Sequence, residues 1–227
     1  MLQRYKSLTH SVVGLANAGR THARLRDSLA SKKIQDELVK LAHQASEHQL
    51  AVGVLSSASV RLKGDKFLIT SRHAWFGDLK PDDLAIGSLQ SSPIVQEQAL
   101  PDAATWHQFV YAHTSAQWAL LTQPAGVMAL AYRGQSLQPA ALPAAAQLTG
   151  EVALHTAGDA PTDALVAHVQ ARCALIIGHL GLLVWSASSR EVLSISHLLA
   201  RWAEIALKAE VAKADSSSED AAGSDQL

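Results

Sequence analysis

Two pairs of short apolar runs, each closed by a glycine-bearing turn, constrain this chain more than anything else in it. "ASVRL" and "KFLIT" flank Lys63-Gly64-Asp65, and "ALIIG" and "GLLVWS" meet across Gly178–Gly181. Runs of this length, bounded by turn residues, read as strands, and connections this short join them as antiparallel hairpins. Helical patterns are interleaved with them. "IQDELVKLAHQA" (34–45) lines up Ile34, Leu38, Leu41 and Ala45, and "AATWHQFVYAH" (103–113) lines up Trp106, Phe109, Val110 and His113. "PTDALVAHVQA" (161–171) starts at a proline, and "SREVLSISHLLARWAEIALKAE" (189–210) carries Val192, Ile195, Leu199, Trp202 and Ile205 on one face. "AIGSL", "QWALLT" and "EVALH" (151–155) supply three more strands. The expected fold is therefore α/β: a single three-layer domain whose mixed, mostly antiparallel central sheet is covered by helices.

The two ends differ from this core. Arg4, Lys6, Arg20, Arg24 and Arg26 precede the first acidic residue, so residues 1–33 read as a basic N-terminal extension. It is either a solvated helix of a cytoplasmic protein or, as the alternative, a transit peptide to the mitochondrial matrix. Residues 34–211 form the domain. Residues 212–227, "AKADSSSEDAAGSDQL", have almost no large apolar side chain to offset ordering entropy, and disorder is expected there.

Composition excludes some functions. With 19 basic and 20 acidic residues the net charge is −1, which provides no field for nucleic acid. The longest apolar run, "CALIIGHLGLLVW", is interrupted by Gly178 and His179 and falls short of the roughly 20 residues that span a bilayer. The single cysteine, Cys173, allows no internal disulfide and suits a reducing compartment. No G-x-S-x-G, G-x-x-x-x-G-K, G-x-G-x-x-G or H-E-x-x-H motif is present.

Three longer stretches carry a resemblance: "SVRLKGDKFLITSRHAWFGDLKPDDLAI" (59–86), "WHQFVYAHTSAQWALLTQPAGVMALA" (106–131) and "ALIIGHLGLLVWSASSREVLSISHLLARWAEIAL" (174–207). In this order they resemble the class II aldolase/adducin family, over roughly residues 34 to 210. The resemblance implies that family's fold, ring-like homo-oligomers, and a metal-dependent lyase or epimerase site between subunits. It also shows departures. The family's His-Thr-His ligand pair falls on Leu121, Thr122 and Gln123, and its third histidine on Leu180. The catalytic glutamate falls on or beside Ala103. The phosphate loop becomes Thr70-Ser71-Arg72-His73, and Ser57 stands where an asparagine is usual, with Ser59 retained.

Leucine has no lone pair, and a glutamine oxygen is a poor ligand for zinc. No catalytic residue, no metal and no cofactor is therefore expected. What remains is a candidate anion pocket of Ser57, Ser59, Thr70, Arg72, His73 and Thr122, with pairing of Arg72 to a nearby carboxylate as the other reading of that residue. His107, His113, His155 and His179 are the candidates for a relocated metal. Leu121 and Leu180 are expected to face one another in a dry cluster rimmed by Thr122, Gln123 and Arg72. Two functions follow: a non-catalytic scaffold or partner subunit, self-associating or bound to other protein subunits, or an aldolase/epimerase-type lyase with a rearranged site.

Overall fold

The computed structural model describes residues 26–90, 100–138, 143–156 and 160–223. The helices are α1 (Lys32–Glu47), α2 (Ala104–His113), α3 (Ala125–Tyr132), α4 (Pro143–Thr149), α5 (Val166–Ala171) and α6 (Ser189–Gly223). The strands are β1 (Ser57–Arg61), β2 (Lys66–Thr70), β3 (Leu84–Ser88), β4 (Trp118–Thr122), β5 (Leu154–His155), β6 (Ala174–Ile177) and β7 (Gly181–Ser186). They form one sheet in the order β3-β2-β1-β4-β7-β6-β5, antiparallel throughout except for the parallel pair β5–β6.

Both expected hairpins are present. The first turns at Gly64, whose φ of 71° is a left-handed conformation that glycine adopts without steric cost, and pairs Ser59 with Ile69. Period-two alternation then sorts each strand into two cores. Ala58, Val60, Leu68, Leu120, Leu182 and Val184 face one side, where they pack with Leu38 and Leu41 of α1, Val127 and Leu130 of α3, and Leu199 and Trp202 of α6. Ile69, Ala119, Leu121, Leu175, Leu183 and Trp185 face the other, against Trp106, Phe109 and Val110 of α2 and Val169 of α5. This is the three-layer arrangement the sequence implies.

Several boundaries differ from expectation. The strand anticipated at 151–155 is reduced to Leu154–His155, with Val152 in an isolated bridge to Leu137. The helix anticipated from Pro161 opens as a 3-10 turn at Asp163–Leu165 and becomes α-helical at Val166. On α2 the buried face includes His107 and Tyr111, while His113 is only half-buried; on α6, Ile205 is exposed.

The division at residue 33 also needs correction. Residues 26–29 form a helical turn, Ala30 is buried, and the buried Arg26 donates to the Pro81 carbonyl at 2.6 Å and pairs with Asp82 at 3.2 Å. Ser31 caps α1, its Oγ accepting from the Ile34 amide. Arg26 carries a charge but also a long apolar stem, and in this fold it belongs to the domain. The rest of the basic extension, residues 1–25, lies outside the described residues.

At the other end α6 continues to Gly223, so residues 212–223, expected to be disordered, are helical. They add to a helix already nucleated and packed, and their alanines, lysine and glutamate propagate it at little cost. No described helix is long and apolar enough to cross a membrane.

Candidate functional site

The loop before β1, the end of β4 and the β6–β7 turn come together at Gln123. Its backbone amide donates to the Leu50 carbonyl at 2.9 Å. Its side-chain Nε2 donates to the carbonyls of Leu55 and Leu180, at 3.1 and 2.9 Å, and its Oε1 accepts from Ser56 Oγ at 2.6 Å. Both amide protons and the amide oxygen are thus in use, and Gln123 is buried. Gly181, with φ 133°, allows the β7 backbone to come in beside it. A Cβ there would lie 2.1 Å from the Thr122 carbonyl oxygen.

Leu121 and Leu180 join one apolar cluster on the α2 side of the sheet. Leu121 is fully buried beside Ala119 and Leu183, and Leu180 is partly buried against the same group. The anticipated polar rim is only partly realised. Gln123 belongs to it, but Thr122 pairs with Leu182 and is fully buried, with no hydrogen-bond partner on its Oγ1. Arg72 does not border it at all. Its Nη2 donates to Asp102 Oδ1 at 2.7 Å and its Nε to the Leu100 carbonyl at 3.2 Å, on an exposed surface. Asp102 is the carboxylate beside the buried Ala103, and Arg72 holds it in an ion pair.

The six residues of the candidate anion pocket do not converge on one open cavity. Ser57, Ser59, Thr70 and Thr122 are buried in the sheet, and Arg72 and His73 are exposed. Thr70 Oγ1 accepts from the Ala58 amide at 3.2 Å. His73 has φ 65°, a left-handed turn conformation.

The two serines instead belong to a polar chain that the sequence did not reveal. Ser57 Oγ lies 2.8 Å from His107 Nε2, His107 Nδ1 lies 2.7 Å from Ser59 Oγ, and Ser59 Oγ lies 2.7 Å from the Tyr111 hydroxyl. Neutral imidazole donates from one nitrogen and accepts at the other, and a serine hydroxyl can take either role, so this chain satisfies both ring atoms of an uncharged His107. Full burial enforces that state, lowering its pKa to about 3. Burial also pushes the Tyr111 hydroxyl up, opposed by the Ser59 hydrogen bond and by Arg61. The Arg61 guanidinium sits 5.1 Å over the Tyr111 ring and donates to the carbonyls of Tyr111, Thr114 and Ala116. The available signals were the four-residue spacing of His107 and Tyr111 and the two-residue spacing of Ser57 and Ser59, which place each pair on one face.

The remaining candidate histidines point to different surroundings. His113 Nδ1 contacts the Phe109 carbonyl at 2.9 Å. His155 meets the edge of Trp106 at 5.4 Å between ring centres, and its Nε2 is buried without a partner. His179 is exposed in the β6–β7 turn. Among the described residues no three His, Cys, Asp or Glu side chains are grouped as a metal site requires. The residues at the expected ligand positions do not fit a catalytic zinc, because two are hydrocarbon and the third is an amide whose oxygen already accepts from Ser56 and whose nitrogen donates to two carbonyls. Burial raises the Cys173 pKa, with Arg172 only partly opposing, which favours the protonated thiol.

The sequence signature described as "Class II Aldolase and Adducin N-terminal domain" matches residues 36–207. The chain belongs to that family. Its fold is similar to the L-fuculose-1-phosphate aldolase of Thermus thermophilus, with a TM-score of 0.69 and 20% identity, over 79% of this chain and 95% of that one. An aldolase II superfamily protein from Pseudomonas syringae aligns with a TM-score of 0.67 and 21% identity, over 83% and 80% of the two chains. A sugar-phosphate aldolase from Thermotoga maritima aligns with a TM-score of 0.62 and 14% identity, over 77% and 93%. No curated protein matches the sequence. At these identities the solved structures establish the class II aldolase fold.

Proposed function

We propose that this chain is a non-catalytic member of the class II aldolase family that acts as a structural or partner subunit of an oligomeric complex. The observation that carries this reading is Gln123, whose amide ties three loops together where the family resemblance places a metal ligand. With Leu121 and Leu180 beside it, no group of metal-ligating side chains among the described residues is there to polarise a hydroxy-carbonyl substrate or stabilise an enediolate, a contribution worth several kcal/mol in metal catalysis. Assembly is supported by an exposed apolar run next to this point: Val52, Val54 and Leu55 are 53%, 44% and 66% exposed. Apolar side chains grouped in this way mark interaction surfaces. The low cysteine content favours the cytoplasm in this proposal, with the mitochondrial matrix as the alternative that an import assay of residues 1–25 would decide.

The alternative, a rearranged lyase or epimerase, rests on His155, whose Nε2 is buried and unpartnered. One set of measurements separates the two readings. Protein purified without chelator should carry well under one equivalent of zinc and leave L-fuculose 1-phosphate uncleaved when zinc is added. Light scattering should give a multiple of 24.1 kDa, reduced by Leu55→Asp. Stoichiometric zinc that is lost on His155→Ala, accompanied by turnover, would establish the enzyme instead.

A further inference from the structure

On the opposite face of the sheet from Leu121, α1 and α6 run side by side and enclose a cleft of about 560 Å³. Two contacts mark its ends. Ser189 Oγ donates to Glu37 Oε1 at 2.7 Å, and the rings of His48 and His197 meet edge-on at 5.2 Å. Residues 37 to 48 and 189 to 197 therefore run along the cleft in the same direction, which at 1.5 Å rise per residue makes it about 12–16 Å long. Leu41 and Leu193 provide apolar lining, and Lys40, Gln44, Arg190 and Ser194 provide polar groups.

The charge around this cleft is unbalanced. Its one carboxylate, Glu37, already accepts the Ser189 hydroxyl. Among the described residues neither Lys40 nor Arg190 is paired with a carboxylate, although other arginines in the fold are paired. His197 Nδ1, also at this cleft, is buried with no hydrogen-bond partner. A volume within the range of small-molecule sites, an apolar lining and two unpaired cations are the features that recognise an acid with an organic body.

We infer that the cleft between α1 and α6 binds a small organic anion, its charged group held by Lys40 and Arg190 and its apolar part lying against Leu41 and Leu193. The site needs nothing from the metal position and holds whether or not the chain is catalytic.

Calorimetric titration of the full chain with phenyl phosphate and with phenylacetate tests this, with inorganic phosphate and 2-phenylethanol as controls. At least one aromatic anion should bind about tenfold more tightly than both controls. The stronger of the two identifies phosphate or carboxylate as the preferred group. Arg190→Gln and Lys40→Gln should each weaken that binding by about fivefold or more with unchanged thermal midpoints, because both side chains are exposed. The inference is overturned if neither anion binds, if 2-phenylethanol binds equally well, or if both variants bind like the parent.

Discussion

The surroundings of Gln123 and the cleft between α1 and α6 are opposites within one domain. At the first, each polar group of one amide is matched and two leucines fill the adjacent space. At the second, charges stand unpaired around an open volume, and no motif draws attention to it. The first region is part of the packed interior, while at the second Lys40 and Arg190 have no carboxylate partner among the described residues.

The contrast can be broken most forcefully by reversing the first region. Placing histidine at Leu121, Gln123 and Leu180 together removes a buried leucine, worth roughly 1.5–3 kcal/mol, and leaves the Leu55 carbonyl and the Ser56 hydroxyl without their partner. A combined loss of about 5 kcal/mol is expected from urea unfolding. A neutral variant that takes up zinc tightly would mean that the position is still preformed for metal.

Acid tests the polar chain next to it. The folded pKa of His107 is lowered to about 3, against an ordinary value of 6.5. Below pH 6.5 the unfolded chain therefore binds a proton that the folded chain refuses. The stability this group contributes is complete above 6.5 and falls by up to about 1.4 kcal/mol per pH unit as the pH drops toward 3. His107→Gln should flatten that part of the stability profile relative to the parent, whatever it costs at neutral pH. Parallel profiles for the two proteins would show that His107 takes up its proton without unfolding.

Gln123→Ala isolates the clamp. It should cost about 2–3 kcal/mol, and chelator should not change the parent's unfolding midpoint. A midpoint lowered by chelator would show that an ion shares the task. The smallest effect belongs to the cleft: Arg190→Gln should alter stability by less than about 0.5 kcal/mol, because an exposed, unpaired cation contributes little to folding. A loss above about 1 kcal/mol would mean that Arg190 has a structural role and would remove the contrast.

What the sequence disclosed follows from what is local. Hairpin turns at Gly64 and Gly178–Gly181 and period-two strands are encoded within a few residues, so the sheet and its layers were legible. That Leu121, Gln123 and Leu180 stand where the family resemblance places histidines needs only residue identity. What Gln123 does instead was not legible, because its partners at Leu55, Ser56 and Leu180 are more than 50 residues away in the chain. His107 was one of four candidates for a relocated metal for the same reason: only the approach of β1 to α2 supplies its two serines. At Arg26 and at residues 212–223 the structure differs from what composition implied. Arg26 and the alanine-rich extension of α6 follow the elements to which they are attached.

A structural ion makes part of a protein's stability a property of the medium: it rises with metal supply, falls with competing chelators, and changes with pH as ligands exchange protons for metal. At Gln123 the cross-link between three segments is made by a side chain of the polypeptide itself. Its particular weakness is chemical ageing. Hydrolysis of that one amide to a carboxylate would turn two donated hydrogen bonds into a negative charge facing the carbonyl oxygens of Leu55 and Leu180.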